Sequence, residues 1–343
     1  MGSANVTCPL AVVCREHGHE VVVIAEGLAA GIFEKAGFSL YFKGTVNFAD
    51  EPFTVDASSV LRKIKPDAVV TGLGSPINLE EQFGLATNKL ATPLIECIDF
   101  WSGVNRSRAN PYGVLVLDDF DARLTHQLHP AAGILIVGNP GVPKPGSIIP
   151  APEVAALREK FKSVYTYVGG GERTADEIEF LIACLQKTTS DWCIIPRFHP
   201  KHAKREIPGT GRTYGDLCTE MFAPLGDRVV YLPTVAKSDP VVIASDATFS
   251  SWSTLLTTSA QAGKVTASLW VPSAREELKE LTGLDQVPVV ELECCLSLTE
   301  PVDLAGLTPP AAQNLAKLKP YDADTAYKAL MHFVEAATEP FVV

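Results

Sequence analysis

The stretch DATFSSWSTLLTTSAQAGKVTASLWVP, residues 246–272, follows an apolar run, PVVIA, that we interpret as a strand. Its hydroxyl residues Ser250, Ser251, Ser253 and Thr254 fall where the pattern predicts the first turn of a helix that ends at Gly263. A helix start offers unpaired backbone N–H groups and the positive end of the helix dipole, so added hydroxyl groups would make a phosphate site. The alternative is that these hydroxyl groups only cap the helix and give it a small packing face.

Charge supports the anion site at residues 250–254, which we call the serine turn. The chain carries 40 Asp and Glu against 29 Lys and Arg, yet no acid lies between Asp246 and Glu276. An anion bound at the serine turn would therefore meet no carboxylate from the same stretch of sequence.

Composition bounds the class of protein. The 343 residues fit two domains of about 150 residues each. A hydrophobic content of 46% with 20% charged residues, no long apolar run and no signal-peptide pattern predict a cytoplasmic protein without a transmembrane segment. The eight cysteines are dispersed without a CxxC pair, so we interpret them as core residues and predict no metal site. A net charge of −11 argues against binding to a nucleic-acid backbone.

Short apolar runs alternate with amphipathic helical stretches such as 28–36 and 79–91. This alternation is typical of parallel sheets with helices on both faces. We expect two sets of strands, at 21–27, 39–42, 68–74, 93–100, 114–120 and 133–140, and at 163–170, 191–198, 228–233, 240–246, 264–271 and 287–293.

A segment dense in glycine and proline, GNPGVPKPGSIIPAPE at 138–153, separates the two sets and is predicted to be an interdomain linker. We therefore predict an α/β protein of two Rossmann-like doubly wound domains, 1–145 and 156–320, facing each other across a cleft. A last segment, 321–343, contains a helix that could cross back to the first domain. Ligands of such sheets bind at the carboxyl ends of the strands.

The first residues, GSANVTCPLAVVCREHGHEV at 2–21, have the pattern of a loop, a helix and a strand. In a doubly wound domain an apolar strand is expected ahead of such a loop, in the centre of the sheet. Either that strand is missing from the start of this sequence, or the first sheet is built without it.

The order of these elements resembles the GT-B glycosyltransferases. Residues 2–38 are similar to the opening of that fold, with a glycine loop, a helix, GHEV on a strand and a helix ending in AGF. The stretches LIECIDFWSGVNR, VLVLDDFDARL and ILIVGNP resemble the second half of the same domain. In the C-terminal half, VGGG, FHP and SDATFSSWST followed by AG correspond in order to the nucleotide-binding elements of the superfamily, which includes the sugar-nucleotide 2-epimerases.

The resemblance implies a glycosyltransferase that moves a sugar from a nucleoside diphosphate sugar to an unidentified acceptor, without a further cofactor. A sugar-nucleotide epimerase or hydrolase on the same fold is one alternative, and a non-catalytic binding or scaffolding protein is another. Residues 2–9 lack the histidine that serves many members as catalytic base, and Thr258 stands where many carry a glutamate for the ribose. A threonine cannot supply two carboxylate oxygens, so both departures favour the non-catalytic alternative.

Further nucleotide-binding candidates follow two strands of the C-terminal half. Gly170 and Gly171 would let the backbone approach a phosphate or line the sugar or base, although several acids follow closely. Arg197 and His199 end the next strand, where a guanidinium and an imidazole would bind a diphosphate. Structural roles for these side chains are the alternative.

The predicted catalytic residue is Asp99, which ends the apolar run PLIECID with Trp101 beside it. Partial desolvation at a sheet edge raises the pKa of a carboxyl group toward the working range of a general base. Asp99 would then activate the acceptor hydroxyl; alternatively it caps the next turn. Asp118 and Asp119 are the next candidates.

Overall fold

The structure is a computed structural model that describes residues 3–44, 55–73, 79–144, 146–170, 172–198 and 203–338. The chain forms two compact units. Unit 1 comprises Met1–Pro140 and Lys319–Val343, and unit 2 comprises Gly141–Leu318. Both are built on parallel sheets with helices, which confirms the predicted α/β class.

Unit 1 opens with helices and strands in near-strict alternation. They are α1 (Ala4–Glu16), β1 (Val23–Glu26), α2 (Gly27–Lys35), β2 (Leu40–Gly44), α3 (Ala57–Ile64), β3 (Val69–Thr71), α4 (Leu79–Leu90), β4 (Leu94–Cys97), β5 (Gly113–Val116), α5 (Asp119–Leu128) and β6 (Gly133–Ile136). The strands form a two-stranded sheet, β1-β2, and a four-stranded sheet, β3-β4-β5-β6, with every pairing parallel.

The two sheets of unit 1 share their covering helices. On one face α1 packs Cys8 against β1 and Leu10 against β4. On the other, Ile24 of β1 and Val69 of β3 both pack against the cluster formed by α3 and α4. Among the described residues β1 and β3 are not paired with each other.

Unit 2 follows the same plan with a longer irregular part. Its elements are α6 (Pro152–Leu157), β7 (Ser163–Gly169), α7 (Thr174–Lys187), β8 (Trp192–Phe198), α8 (Tyr214–Phe222), α9 (Asp239–Ala244), β9 (Ala247–Ser250), α10 (Thr254–Gln261), β10 (Val265–Leu269), α11 (Pro272–Thr282), α12 (Pro288–Glu291), β11 (Leu296–Leu298) and α13 (Ala312–Leu315). The strands form one parallel sheet in the order β11-β10-β9-β7-β8. Apolar clusters cover both of its faces, one centred on α7 and the other on α6 and α9.

The last helix, α14 (Ala323–Thr338), belongs to unit 1, where Leu330 and Phe333 join the core beside α1 and β4. Gly113 of β5 and Gly133 of β6 are partners in register. A Cβ on either glycine would lie 2.5 Å from the ring of Phe333, so the two glycines form a socket for this side chain. The segment before α14 is fixed by hydrogen bonds between Asn139 and residues 319 and 321.

Three segments of the second set that were predicted to be strands do not form those strands. Residues 240–246 and 287–293 contain the short helices α9 and α12, and the strands come later, at β9 and β11. Short apolar runs do not distinguish a strand from a buried helix, and Pro240 and Pro288 lie in the first turns of these helices, where proline is favoured. Residues 228–233 contribute a single bridge, between Val229 and Ile194.

The prediction of a loop at the start of the chain is also wrong, because α1 already begins at Ala4 and runs through Pro9. A proline inside a helix removes a hydrogen bond. Burial of Val6, Leu10 and Cys14 at helical spacing offsets this cost. In the described part of the chain, no helix is long and apolar enough to cross a membrane.

Candidate functional site

The strand order of unit 2 contains a topological switch point at β7. The chain passes from β7 to β8 on one side and returns to β9 on the other side of β7. In open parallel sheets, ligands bind outside the carboxyl ends of the strands at such a point. Tyr167 of β7 and Phe249 of β9 are register partners, so Gly170 after β7 and the serine turn after β9 leave the sheet side by side.

The structure divides the serine turn between a strand end and a helix start. Ser250 is the last residue of β9, and Thr254 is the exposed first residue of α10. Ser250 and Ser251 were expected in the first turn of the helix, which is wrong for both. Pairing of β9 with β7 and β10 holds the chain extended through Ser250, so the helix starts four residues later.

Two of the hydroxyl groups have structural partners. Ser251 Oγ donates to the carbonyl oxygen of Leu269 over 2.8 Å, which ties the turn to β10. Ser253 is the N-cap of α10, and its Oγ accepts from the backbone N–H of Leu255 at 3.2 Å. Ser268, which sequence reasoning missed, donates to the carbonyl oxygen of Ser251 over 2.6 Å. These bonds fix the backbone of the turn.

Ser250 Oγ differs from the hydroxyl groups of Ser251 and Ser253. The residue is only 1% exposed, and its hydroxyl group has no hydrogen-bond partner in the described part of the chain. The first turn of α10 carries no acid, so the dipole of the helix is not neutralised there. A buried, unpaired hydroxyl group at a switch point, four residues ahead of a helix N-terminus, is a candidate part of an anion site.

On the glycine side, Gly169 is the last residue of β7 and Gly170 is buried immediately after it. A side chain at Gly169 would collide with the hydroxyl group of Tyr167, so glycine is required for this close packing. Gly171 lies outside the described residues. Contact of these glycines with a phosphate stays a prediction.

Of the two predicted diphosphate ligands after β8, the structure describes Arg197 only. The Arg197 guanidinium donates to Ser238 Oγ and to the carbonyl oxygens of Leu232, Val235 and Ala236, at 2.7–3.3 Å. Most of its N–H groups therefore hold the loop 232–238, which leaves few for a ligand. His199 lies outside the described residues. Both residues stay predicted ligands.

In unit 1, Asp99 lies two residues beyond β4. Burial, with the negative charge of Glu80 as a second cause, raises the pKa of Asp99 to about 6. Asp99 Oδ1 is buried without a hydrogen-bond partner in the described residues. The group can therefore change its protonation state near neutral pH, as a general acid or base must.

Two more carboxyl groups at this end of unit 1 are buried. Glu96 lies within β4 and accepts from Ser107 Oγ at 2.8 Å; burial raises its pKa to about 7. Asp121, in the first turn of α5, is fully buried, and burial raises its pKa to about 8. Sequence reasoning missed Glu96 because it lies inside an apolar run. Its only signal was the acid at the centre of PLIECID.

Asp118 has a structural role that its sequence context did not reveal. Its Oδ1 accepts from the backbone N–H of Asp121 at 3.0 Å, and it caps α5. Its Oδ2 accepts from the indole of Trp101. Within the described ranges, no three His, Cys, Asp or Glu side chains are grouped so as to hold a metal ion.

Known proteins resemble this chain in fold but not in sequence. No protein-family model matches the chain, and no curated protein matches it in sequence. Among solved structures, a candidate UDP-N-acetylglucosamine 2-epimerase from Listeria monocytogenes matches with a TM-score of 0.60 and 14% identity, over 99% of this chain and 96% of that one. The chain has the GT-B fold.

Two ligand-bound structures match less closely. S. aureus MnaA in complex with UDP has a TM-score of 0.53 and 14% identity, over 98% of this chain and 87% of that one. A UDP-GlcNAc 2-epimerase from Neisseria meningitidis bound to UDP-GlcNAc has a TM-score of 0.52 and 11% identity, over 97% and 96%. These comparisons confirm the resemblance to the GT-B superfamily at the level of the fold. The activity of this GT-B protein has to be argued from its own residues.

Proposed function

We propose that this GT-B protein is an enzyme that acts on a nucleoside diphosphate sugar and binds the diphosphate at the serine turn of unit 2. The observation that carries the proposal is the buried, unpartnered Ser250 Oγ, four residues ahead of the acid-free start of α10. The UDP and UDP-GlcNAc bound by its structural neighbours support a UDP-sugar as the first ligand to test.

Glycosyl transfer, hydrolysis and C2 epimerisation of a nucleoside diphosphate sugar would each begin with departure of the diphosphate from the anomeric carbon. Negative charge grows on the leaving oxygen as the bond breaks. Fixed N–H groups and hydroxyl groups at the serine turn would stabilise this charge, and one such donor is typically worth about 3 to 4 kcal/mol. The helix dipole of α10 acts in the same direction, so no metal ion is required for this step.

Glycosyl transfer is the first candidate reaction. It requires one general base that takes the proton of the acceptor hydroxyl as that oxygen attacks the anomeric carbon. Asp99, with a pKa of about 6, is largely ionised at neutral pH and suited to this role. The acceptor is not specified by the residues described.

Inversion at C2 of the sugar is the second candidate. A proton is removed from C2 as the diphosphate departs, a proton is delivered to the opposite face of C2, and the diphosphate oxygen rejoins the anomeric carbon. The reaction therefore needs more than one acid–base group. The raised pKa values of Glu96 and Asp99, about 7 and about 6, are the specific observation in its favour. One of the pair would be ionised and the other protonated near neutral pH.

Incubation with UDP-GlcNAc in deuterated water distinguishes these reactions. Epimerisation predicts deuterium at C2 and a second C2 epimer in the proton NMR spectrum. Transfer predicts UDP release that depends on an added acceptor, with C2 unlabelled, and hydrolysis predicts release without one. UDP binding with none of these products across a panel of UDP-sugars and acceptors would favour the non-catalytic alternative, and no binding of any nucleoside diphosphate would contradict the proposal.

A further inference from the structure

Arg173 is almost completely buried, with a side-chain exposure of 10%, and its contacts connect three segments of unit 2: α7, α11 and the serine turn. It is the N-cap of α7, and its Nε donates to Glu177 Oε1 in the same helix over 2.6 Å. Its Nη1 donates to Glu277 in α11. Its guanidinium lies over the ring of Trp252 in the serine turn, 4.7 Å from the ring centre.

The partners of Arg173 are themselves fixed. Glu177 has no exposed surface, and its second oxygen accepts from the Tyr167 hydroxyl group over 2.6 Å. Tyr167 belongs to β7 and packs directly against Gly169. The planar guanidinium fork is thus held by carboxylates on two helices, and its orientation sets the plane on which Trp252 stacks.

This arrangement joins the two sides of the switch point. Trp252 lies between Ser251, which is bonded to β10, and Ser253, which caps α10. We propose that Arg173 is a positioning residue: by stacking on Trp252 it holds the serine turn in the geometry that binds the diphosphate. This inference rests on the proposed function for its ligand, but the contact itself belongs to the fold.

Arg173 acts through Trp252 rather than as an anion ligand. Its charge is offset by Glu177 and Glu277, both within ion-pair distance, so little positive potential remains for a phosphate. A serine turn free to move would leave Ser250 Oγ and the N–H groups of α10 misaligned. Loss of one hydrogen bond to a charged group weakens binding by roughly 10- to 100-fold.

The test compares Arg173→Met with the wild-type protein by two measurements. Hydrogen exchange of residues 250–256 reports the order of the serine turn without any ligand, and calorimetric titration with UDP reports its binding geometry. We expect exchange about 10-fold faster at these residues and a UDP Kd raised about 10- to 100-fold. Trp252→Ala should reproduce both effects, because it removes the ring on which the guanidinium stacks.

Two further variants distinguish a loss of positioning from a folding defect. Arg173→Met leaves Glu177 buried without its cation, so Arg173→Met combined with Glu177→Gln removes the charge while the Tyr167 hydroxyl group keeps an acceptor. Arg212→Met removes the exposed ion pair with Glu220 and is the matched control that should change neither measurement.

The two proposals fail separately. Unchanged exchange at residues 250–256 in folded Arg173 variants would overturn the positioning role, whatever UDP does. Faster exchange in a protein whose wild-type form binds no nucleoside diphosphate would keep the link between Arg173 and the turn but contradict the proposed function. Faster exchange with unchanged UDP affinity would overturn the claim that this link serves binding.

Discussion

The indole Nε1 of Trp101 donates a hydrogen bond to Asp118 Oδ2 over 2.7 Å. In the sequence Trp101 stands beside Asp99, yet its polar atom serves the carboxyl group that caps α5. Asp118 is therefore engaged on both oxygens, while Asp99 Oδ1 has no partner among the described residues. This contrast makes Asp99 the better candidate for acid–base chemistry.

Replacement of Asp99 with Asn should lower turnover by roughly 10² to 10⁴ and leave UDP affinity nearly intact. The amide keeps the shape of the side chain but cannot take up a proton at neutral pH. Steady-state kinetics with a UDP-sugar and titration with UDP measure the two effects. Asp119→Asn, at an exposed position of α5, is the control. Near wild-type turnover in Asp99→Asn would show that this carboxyl group is structural.

The pH dependence of the same reaction follows from the raised pKa of Asp99. If Asp99 acts as a base in the free enzyme, kcat/KM should fall as the pH drops through about 6, because the protonated carboxyl group cannot accept a proton. An unperturbed aspartate would give the same fall near pH 4. A profile that is flat between pH 5 and 7 would contradict a base with the raised pKa of Asp99.

The two buried serines of the serine turn should respond differently to alanine. Ser250→Ala removes a hydroxyl group without a partner in the described structure, so we expect little loss of stability but UDP binding weaker by about 1 to 3 kcal/mol. Ser251→Ala breaks the bond to Leu269 and should destabilise the fold by about 1 kcal/mol. Thermal unfolding and calorimetry separate the effects. Equal loss of uridine and UDP binding in Ser250→Ala would point to base contact instead.

Asp121 should make stability depend on pH. Its folded pKa, about 8, lies above the unfolded value near 4, so the folded state retains a proton that the unfolded state releases. Its contribution is complete below about pH 4 and is lost as the pH rises toward 8. Asp121→Asn should therefore gain stability relative to wild type between pH 5 and 8, by up to about 1.4 kcal/mol per pH unit.

Denaturant unfolding at several pH values measures this difference, with the exposed Asp119→Asn as the matched variant. A gap between Asp121→Asn and wild type that stays constant with pH would mean that Asp121 is ionised in the folded state.

The glycine socket of Phe333 predicts a steric penalty. Gly113→Ala would bring a Cβ to 2.5 Å from the Phe333 ring and should destabilise unit 1 by about 1 to 3 kcal/mol. Combination with Phe333→Leu should cost less than the sum of the single changes, because the smaller side chain leaves room. Gly31→Ala, in α2 with nothing within 4 Å, should instead stabilise slightly. Strict additivity at Gly113 and Phe333 would contradict the socket.

The sequence predicts the α/β class because β-branched runs bounded by turn residues recur between helical stretches, and the last helix, Ala323–Thr338, lies within the segment 321–343 where a helix is predicted. It does not predict α9 and α12, since a few apolar residues suit a strand or a short helix, and the choice depends on Pro240 and Pro288. Local pattern is thus sufficient for the strongly periodic elements only.

The site is less predictable than the fold. The hydroxyl residues of the serine turn are evident in the sequence, but their division into bonded and unbonded groups depends on β10, which supplies the carbonyl oxygen of Leu269. The role of Arg173 depends on Glu277, which is 104 residues away along the chain. Such relationships exist only in the packed structure, and no single-sequence pattern encodes them.

Calorimetric titration of the wild-type protein with UDP and with uridine tests the central claim most directly. The account predicts that UDP binds at least about 100-fold more tightly than uridine, because the diphosphate adds charge-assisted hydrogen bonds at the serine turn. It also predicts that this advantage shrinks in Ser250→Ala. Equal affinities for UDP and uridine, or no binding of UDP or of any other nucleoside diphosphate, would contradict it.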